Sequence, residues 1–474
     1  MRKKFDFFPV ISVSVCLSSC TMYPKYERPC FEVADQWRTP LETVCAVDEQ
    51  WWKQCGDPVL DQLIAEALAN NQDLKVAIAR VDQFKAQLGI VSSNLYPQIE
   101  LQGLSSRQKI SDSITALPPG IQQVFNAFGF LFKASYYVDL WGEVRSAVDA
   151  AYHQWLASVE ARRVAVLQLV SSVASTYIQL RQYDAQLAIG KKTLEDREKS
   201  YFLAQVRYGL GLTSEVPVDQ ALSEVQEAET EVENLLIQIA EAENLLSVLL
   251  GKPSTEIKRG LALDQLEMPP AVPAYLPAEI VCQRPDLQVA EQKLIAAGAQ
   301  IGVARAKFFP QFTLTSGLGY ESVELNELLT NPSKNWEIGA TFDQEIFTGG
   351  RLINGVAVTE AIQREALHNY LSAILTAFKE VNDALTSHKI DLELVDTQRV
   401  RVDALAKYLH LADLRYQEGQ TDYLTYLDAE RQYFRSQLQL EEAKATSFLS
   451  LVKIYQALGG GWVLEADEEL MKDE

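Results

Sequence analysis

Long parts of the chain repeat apolar residues with the period of an α-helix and contain no Gly or Pro to interrupt them. Residues 356–418 lack both, and residues 143–189 form a matching stretch in the first half of the chain. Apolar residues of the earlier stretch recur at helical spacing: Val144, Ala147, Val148, Ala151, Leu167, Val170, Val173, Ala174 and Tyr177. Periodic helices beyond about 25 residues are typical of coiled coils or helical repeats. We therefore predict very long helices, each followed by an antiparallel partner, at 218–250 and at 420–458.

Alternation of apolar and polar residues predicts two strands in each half, set off by prolines where the preceding helix stops. From Phe312 to Tyr320, and again from Trp336 to Ile346, one face is mainly apolar or aromatic, and the other is polar or Gly. The first half repeats the pattern less completely. The predicted strands lie at about 97–108, 129–141, 310–321 and 335–347. Their lengths are close to the 9–11 residues of a tilted transmembrane strand.

Any membrane span must come from these strands, because past the first twenty positions no run of 18 apolar residues could form a spanning helix. Four strands cannot close a transmembrane barrel, which needs about eight strands and tolerates no open edge in lipid. Several chains would have to contribute to one barrel. The alternative is a soluble hairpin packed on a helix, against which the long helices and a predicted lipid anchor argue.

Short motifs recur about 206 to 213 residues apart, which indicates an internal duplication. The recurring residues are Leu95-Tyr96-Pro97-Gln98 with Phe308-Phe309-Pro310-Gln311, and Arg207-Tyr208, Gly211 and Thr213 with Arg415-Tyr416, Gly419 and Thr421. The predicted fold class is mainly α with β, a duplicated αββαα repeat with four strands per chain. The predicted segments are a signal peptide at 1–19, an N-terminal segment at 20–56, repeats at 57–251 and 278–458, a Pro-rich linker at 252–277 and a tail at 459–474.

The N-terminus has the features of a bacterial export signal. Three cations, Arg2, Lys3 and Lys4, precede an apolar region from Phe7 to Leu17, and Leu17-Ser18-Ser19-Cys20 resembles a lipobox. We predict cleavage before Cys20 and lipid on its thiol, which would anchor the chain to a membrane without spanning it. Thr21, where an Asp would favour inner-membrane retention, favours the outer membrane. The alternative is an ordinary secretory signal with an incidental cysteine.

Composition excludes several function classes. A net charge of −21 makes nucleic acid an improbable partner. The four histidines lack ligand spacing, and no nucleophile and base set or phosphate-cradling loop is evident, so we predict no metal site, no cofactor and no enzymatic activity. Beyond Cys20 the mature chain would keep Cys30, Cys45, Cys55 and Cys282, whose three possible disulfide pairings the sequence does not distinguish.

A series of motifs across residues 20 to about 464 carries a family resemblance. They are Pro24-Lys25-Tyr26-Glu27-Arg28-Pro29, Trp51-Trp52, Asp57-Pro58-Val59-Leu60-Asp61, Arg284-Pro285-Asp286-Leu287, Arg415-Tyr416-Gln417-Glu418-Gly419, Tyr426-Leu427-Asp428-Ala429-Glu430-Arg431 and Ala457-Leu458-Gly459-Gly460-Gly461-Trp462. In this order, and with the duplication, the chain resembles the TolC-like outer-membrane efflux family, and within it the OprM-like (NodT-type) lipoproteins. The acidic tail from Glu465 to Glu474 matches no motif of that family.

The resemblance implies a homotrimer with a 12-stranded β-barrel in the outer membrane and a 12-helix coiled-coil tunnel in the periplasm. It also implies an equatorial collar formed by the N-terminal segment, the linker and the tail. Members of the family are passive exit ducts for drugs or other small toxic compounds. They dock through a periplasmic membrane-fusion adaptor to an inner-membrane pump, commonly of the resistance-nodulation-division (RND) class.

A predicted gate lies near the start of the last long helix. Leu424, Asp428 and Arg431 fall at i, i+4 and i+7 on one face, and in the family the matching positions constrict the lumen. By resemblance, Leu424 would be an apolar plug, Asp428 part of a carboxylate ring and Arg431 its counter-charge. The alternative is a solvated i,i+3 ion pair that contributes a few tenths of a kcal/mol.

The turns at the helix tips are predicted to seat the adaptor. They contain Gly211, Thr213, Gly419 and Thr421, and the glycines could equally serve turn geometry alone. Two other functions remain open. The same duct could serve type I protein secretion or heavy-metal efflux, and the chain could instead be a periplasmic coiled-coil scaffold lipoprotein without a channel.

Overall fold

The computed structural model describes residues 22–23, 25–29, 37–38, 51–111, 123–268 and 284–460. The predicted signal peptide and the lipidation site Cys20 lie outside the described residues, as do Cys30, Cys45, Cys282 and the tail beyond residue 460. Among the helices that are described, none combines the length and the apolar character needed to cross a membrane.

Each half of the described chain contains a helix, two strands and two further long helices in that order, and the first half has one additional helix at its start. The first half contains α1 Pro58–Asn70, α2 Gln72–Ser92, β1 Gln98–Lys109, β2 Val124–Val138, α3 Glu143–Gly209 and α4 Val216–Leu249. The second half contains α5 Pro285–Ala306, β3 Gln311–Ser322, β4 Lys334–Asp343, α6 Arg351–Gln417 and α7 Tyr423–Ala457. Helices α3 and α6 have 67 residues each. The predicted class, mainly α with β, is confirmed.

The strands form one antiparallel sheet in the order β1-β2-β3-β4. Its register places one set of alternate positions on an apolar face, where Phe130 packs on Tyr320 with ring centroids 5.4 Å apart and Phe312 packs on Phe342 at 6.2 Å. The opposite face is mainly polar. Among the described strands, β1 pairs only with β2 and β4 only with β3, so each leaves one edge unpaired.

Two strand boundaries differ most from the sequence pattern. Strand β2 begins at Val124 rather than near 129, because residues 124–128 pair with the far end of β1 although their side chains do not alternate cleanly. Strand β4 ends at Asp343 rather than near 347. Its partner strand β3 begins at Gln311, directly after Pro310, so Asp343 forms the last pair and the residues beyond it have no strand to join.

The chain divides into two compact units. One comprises Met1–Pro29, Gln83–Leu156 and Gln292–His368, and the other comprises Cys30–Asp82, Ala157–Glu291 and Asn369–Glu474. The first unit contains the sheet, and the second contains most of the residues of α3, α4, α6 and α7.

The second unit is held together by helix packing along α3. The predicted apolar stripe from Leu167 to Tyr177 is buried, and each fully buried aliphatic side chain of this kind contributes about 1.5–3 kcal/mol. Helix α3 continues through Gly190, where an added Cβ would lie 3.3 Å from Cγ2 of Val232 in α4. The missing side chain therefore lets the two helices approach each other closely.

A buried hydrogen-bond network joins α1, α3 and the linker in the same unit. Asp57 caps α1 by accepting a hydrogen bond from the backbone N–H of Val59 at 2.9 Å. The Tyr177 hydroxyl donates to Oδ2 of Asp57 at 2.6 Å and accepts from the N–H of Gly260 at 3.1 Å, while the N–H of Leu261 also donates to Asp57 Oδ2 at 3.1 Å. A Cβ at Gly260 would lie 2.0 Å from Asp57 Oδ1, so this position requires glycine.

In the first unit, the N-terminal segment is fastened to two helices. The Tyr23 hydroxyl donates to Oδ2 of Asp149 in α3 at 2.6 Å. Its ring lies over Gly302 of α5, where an added Cβ would lie 2.9 Å from Cδ1 of Tyr23 and 2.7 Å from Oγ of Ser146. The absence of a side chain at Gly302 thus makes room for Tyr23.

Candidate gate and tip surfaces

Each long helix ends in a turn that requires glycine. Gly211 and Gly419 have φ values of 69° and 71°, in the left-handed region that other residues rarely adopt. The N–H groups of Gly211 and Leu212 donate to the carbonyls of Tyr208 and Arg207, and Gly419 and Gln420 do the same at the other tip, which is the Schellman pattern of helix ends. No described atom lies within 4 Å of a Cβ at either glycine. Backbone conformation alone therefore accounts for both glycines within one chain.

Apolar side chains surround the first turn without being covered by the described chain. Leu212 is 72% exposed, and Leu210 and Val216 are exposed to a similar extent. Thr213 lies among them and is half-buried, as is Thr421 at the second turn. Exposed apolar groups in this number, on a turn that contributes little to the core, are typical of a contact surface.

A cluster of tyrosines joins the ends of α3, α6 and α7. The rings of Tyr416, Tyr423 and Tyr426 lie 5.4 to 5.9 Å apart, around a core that includes Ala204, Ala221 and Leu427. Nη1 of Arg207 donates to the hydroxyl of Tyr416 at 2.9 Å, with the guanidinium 5.3 Å from that ring's centroid. Burial raises the pKa of Tyr426 to about 12. The cluster brings the two predicted tips together, and the i,i+3 spacing of Tyr423 and Tyr426 is the one signal in the sequence that could have indicated it.

The three predicted gate residues lie near the start of α7, but they do not contact one another as predicted. Leu424 is 54% exposed, and Asp428 is exposed and accepts a hydrogen bond from Nε2 of Gln432 at 2.7 Å. Arg431 instead points to α4, where its Nε donates to Oε1 of Glu224 at 2.6 Å. Within one chain the direct ion-pair partner of Arg431 is therefore Glu224, and the charge of Asp428 contributes less to the raised pKa of Arg431. The role of Arg431 as the counter-charge of Asp428 stays a prediction. The buried carboxylate of Glu224 needs a cation more than a solvated carboxylate does.

Next to the predicted gate residues lies a buried ionic cluster that could not be seen in the sequence. Arg197 of α3 is 1% exposed, and its Nε donates to Oε1 of Glu430 in α7 at 2.9 Å. Its Nη1 donates to the backbone carbonyl of Glu224 at 2.7 Å, and Nη2 lies 3.1 Å from Oε2 of Glu224, close enough for an ion pair but outside hydrogen-bond geometry. The guanidinium also lies 5.3 Å from the ring centroid of Phe434. One side chain of α3 thus contacts both α4 and α7.

Two arginines face two buried carboxylates in this cluster. Arg197 and Arg431 face Glu224 and Glu430, whose side chains are 2% and 12% exposed. Burial raises the pKa of the Glu430 carboxyl, and Arg197 opposes that rise. The hydrogen bond to Glu224 raises the pKa of Arg431. Removing one member would leave an opposite charge buried without its partner, which is costly.

Two carboxylates near the predicted gate residues, those of Glu224 and Glu430, form ion pairs with arginines. Among the residues that the structure describes, no group of three or more His, Cys, Asp or Glu side chains is placed to hold a metal ion. The arrangement consists of ion pairs, aromatic packing and turn geometry, which hold helices in position.

The parts of the chain that form the long helices, the sheet and the tip turns match a known protein family. The family model described as outer membrane efflux protein matches residues 63–252 and 276–460. The chain belongs to the outer membrane efflux protein family. The family predicted from the sequence is thereby confirmed. Membership indicates an outer-membrane location and a role in efflux rather than an enzymatic activity.

Relatives of this outer membrane efflux protein match along most of its length. It is 34% identical over 455 residues to a toluene efflux pump outer membrane protein, TtgC, of Pseudomonas putida, covering 94% of this chain and 93% of the relative. Its structure resembles the CmeC outer membrane channel of Campylobacter jejuni, with a TM-score of 0.89, 26% identity and coverage of 96% and 98%. It also resembles the open state of the MtrE outer membrane channel of Neisseria gonorrhoeae, with a TM-score of 0.84, 31% identity and coverage of 94% and 99%.

Proposed function

We propose that three copies of this chain form a lipid-anchored exit duct through which small toxic organic compounds leave the cell. The observation that carries this proposal is the four-stranded sheet, which has an apolar face and two unpaired edges, β1 and β4. Exposed backbone groups at an open edge are not tolerated in lipid, so the edges must pair with other copies. Three sheets supply twelve strands, with the polar faces lining the lumen and the apolar faces in contact with lipid.

Further support comes from side chains that one chain leaves exposed on the apolar face. Trp336, Ile338 and Phe342 on the edge strand β4 are all mostly exposed, as are Ile99 and Leu101 on β1. A soluble monomer rarely exposes a contiguous apolar patch of this kind. Lipidation of Cys20 would keep the assembly at the outer membrane, with the helices extending into the periplasm as a tunnel.

The partners follow from the same proposal. A periplasmic adaptor would contact the tips at Gly211, Thr213, Gly419 and Thr421, where the exposed apolar groups around the first turn offer a surface. An inner-membrane pump of the RND class would supply the energy, because the relatives are outer membrane components of efflux pumps. The toluene efflux relative supports small apolar toxic compounds as the exported class.

Conductance tests the channel directly. Purified wild-type protein reconstituted in planar bilayers is expected to give discrete openings, and Asp428→Ala is expected to raise resting conductance because it removes one carboxylate per chain from the gate. Absence of openings would contradict the channel and favour a scaffold role. Unchanged conductance in Asp428→Ala would remove Asp428 from the gate while leaving the channel in place.

Adaptor docking is tested at the threonines, because replacing Gly211 or Gly419 would strain the backbone and confuse the two interpretations of those glycines. Thr213→Trp and Thr421→Trp are expected to abolish efflux in cells while the oligomer still forms. Normal efflux in both variants would count against adaptor contact at the tips.

A further inference from the structure

The buried side chain of Arg197 links the helix that carries the predicted gate to the neighbouring hairpin. It extends from α3 and contacts Glu224 in α4 and both Glu430 and Phe434 in α7, and it lies 3.8 Å from the half-exposed carboxylate of Glu227 in α4. Glu224 in turn binds Arg431, which lies one turn beyond Asp428. The contacts therefore run without a break from α3, through α4, to the gate residues on α7.

We propose that Arg197 is a positioning residue of the gate: it holds α7 against α3 and α4 in the closed state, and opening requires its contacts with Glu430 and Glu224 to break. This role rests on the proposed function as a gated duct. Any movement of α7 away from α3 would separate Arg197 from Glu430, because their bond of 2.9 Å is direct. Arginine suits this position because its planar fork can serve both neighbours at once.

The environment of the cluster makes its contacts costly to break. Arg197 and Glu224 are almost fully buried, so separating them exposes or isolates charges that compensate each other in the observed arrangement. Glu227 and Arg435 form an exposed pair at the rim, 3.3 Å apart, and contribute less because water screens them. The packing of α7 on α3 and α4 is thus stabilised by the interior of the cluster rather than by its rim.

Two conservative variants test the role while keeping a polar side chain at each position. Arg197→Lys keeps the charge but loses the fork, and Glu430→Gln keeps an acceptor for Arg197 but loses the charge. Arg197→Met would leave the carboxylate of Glu430 buried without its cation and Glu224 with Arg431 alone, which destabilises the fold, so it is not the test. Each conservative variant loses part of one charge-assisted interaction, and we expect the fraction of time that reconstituted channels spend open to rise about tenfold.

A matched control is available on the same helix. Arg181 of α3 is also buried, but it binds the backbone carbonyl of Leu261 and the side chain of Asp184 rather than residues of α7. Arg181→Lys is therefore expected to leave the open fraction within about twofold of wild type. Oligomer mass is measured for every variant, so that a general loss of structure is separated from a change in gating.

The outcomes separate the positioning role from the duct itself. If wild-type protein forms channels and Asp428→Ala opens them, but Arg197→Lys and Glu430→Gln stay as closed as Arg181→Lys, the positioning role is overturned and the duct stands. If the wild type forms no channels, the duct fails and the role fails with it. A second readout is the amide exchange of residues 423–434, which should quicken in both variants and not in the control. Unchanged exchange there would also overturn the role.

Discussion

The hydroxyl of Tyr177 offers a sharp test of how the second unit is held together. In Tyr177→Phe, the ring keeps its place in the core, but Asp57 loses a hydrogen bond of 2.6 Å and the N–H of Gly260 loses its acceptor. Tyr177 and Asp57 are fully buried, so water cannot readily replace the lost partner. A hydrogen bond to a charged group contributes about 1.5–3 kcal/mol.

Local opening of the linker at Gly260 and Leu261 should become easier by that amount. Since about 1.4 kcal/mol corresponds to a factor of ten, their backbone amides should exchange with solvent about ten to a hundred times faster in Tyr177→Phe, as measured by hydrogen exchange with mass spectrometry. The pKa of Tyr177 is raised well above its usual value, by burial first and then by its bond to Asp57. A raised pKa gives stability that is fully present below about pH 10 and is lost only as pH rises through the elevated value. The effect should therefore be constant between about pH 7 and pH 9.

Tyr423→Phe is the matched control. The hydroxyl of Tyr423 is also buried but has no hydrogen-bond partner among the described residues, so its removal leaves nothing unpaired. Exchange near residue 423 should change by less than about threefold, because only the hydroxyl itself is lost. The reasoning is refuted if Gly260 and Leu261 exchange at wild-type rates in Tyr177→Phe, or if the control produces an equal change around its own position.

Three further predictions follow from single positions. Gly302→Ala should lower stability by about 1–3 kcal/mol, because the new Cβ clashes with Tyr23 and Ser146. Gly298→Ala, whose Cβ meets only Gln363 at 3.7 Å, should raise stability by about 0.5–1 kcal/mol. Thermal melting compares the two variants, and equal shifts in melting temperature would contradict the argument. Trp336, on the exposed apolar face, should be quenched by brominated lipids in liposomes, and a quenched fraction that is the same in wild type and in Trp336→Phe would place it away from lipid. Burial raises the pKa of the Cys55 thiol to about 12, so alkylation of Cys55 at about pH 8 should require unfolding. Peptide mapping that finds Cys55 itself labelled in the native protein would count against it.

The elements that depend on local pattern were predictable, and those that depend on distant partners were not. The apolar stripe from Leu167 to Tyr177 and the alternation after Pro310 identified helix and strands because periodicity is a property of neighbouring residues. The predicted start of β2, near residue 129, is too late, because residues 124–128 form a strand only through pairing with β1. The sequence places Tyr177 in the core correctly. Its hydrogen bond to Asp57, 120 residues away, is not indicated by the pattern of apolar and polar residues.

The candidate site shows the same limit. The positions of Leu424, Asp428 and Arg431 on one helix could be predicted from spacing, but the partner of Arg431 lies 207 residues earlier in the chain. Arg197 stands in the middle of five consecutive charged residues, from Glu195 to Lys199, and nothing in that run marks it as the buried one. A charge becomes recognisable as an interior one only when the helices that surround it are in place.

The mass of the purified outer-membrane assembly tests the central claim most directly. Native mass spectrometry of the detergent-extracted protein should show three mature, lipidated chains, because one sheet of four strands cannot close and the edges of β1 and β4 must be paired in lipid. A protein that is extracted from the outer membrane as a stable monomer would contradict the account.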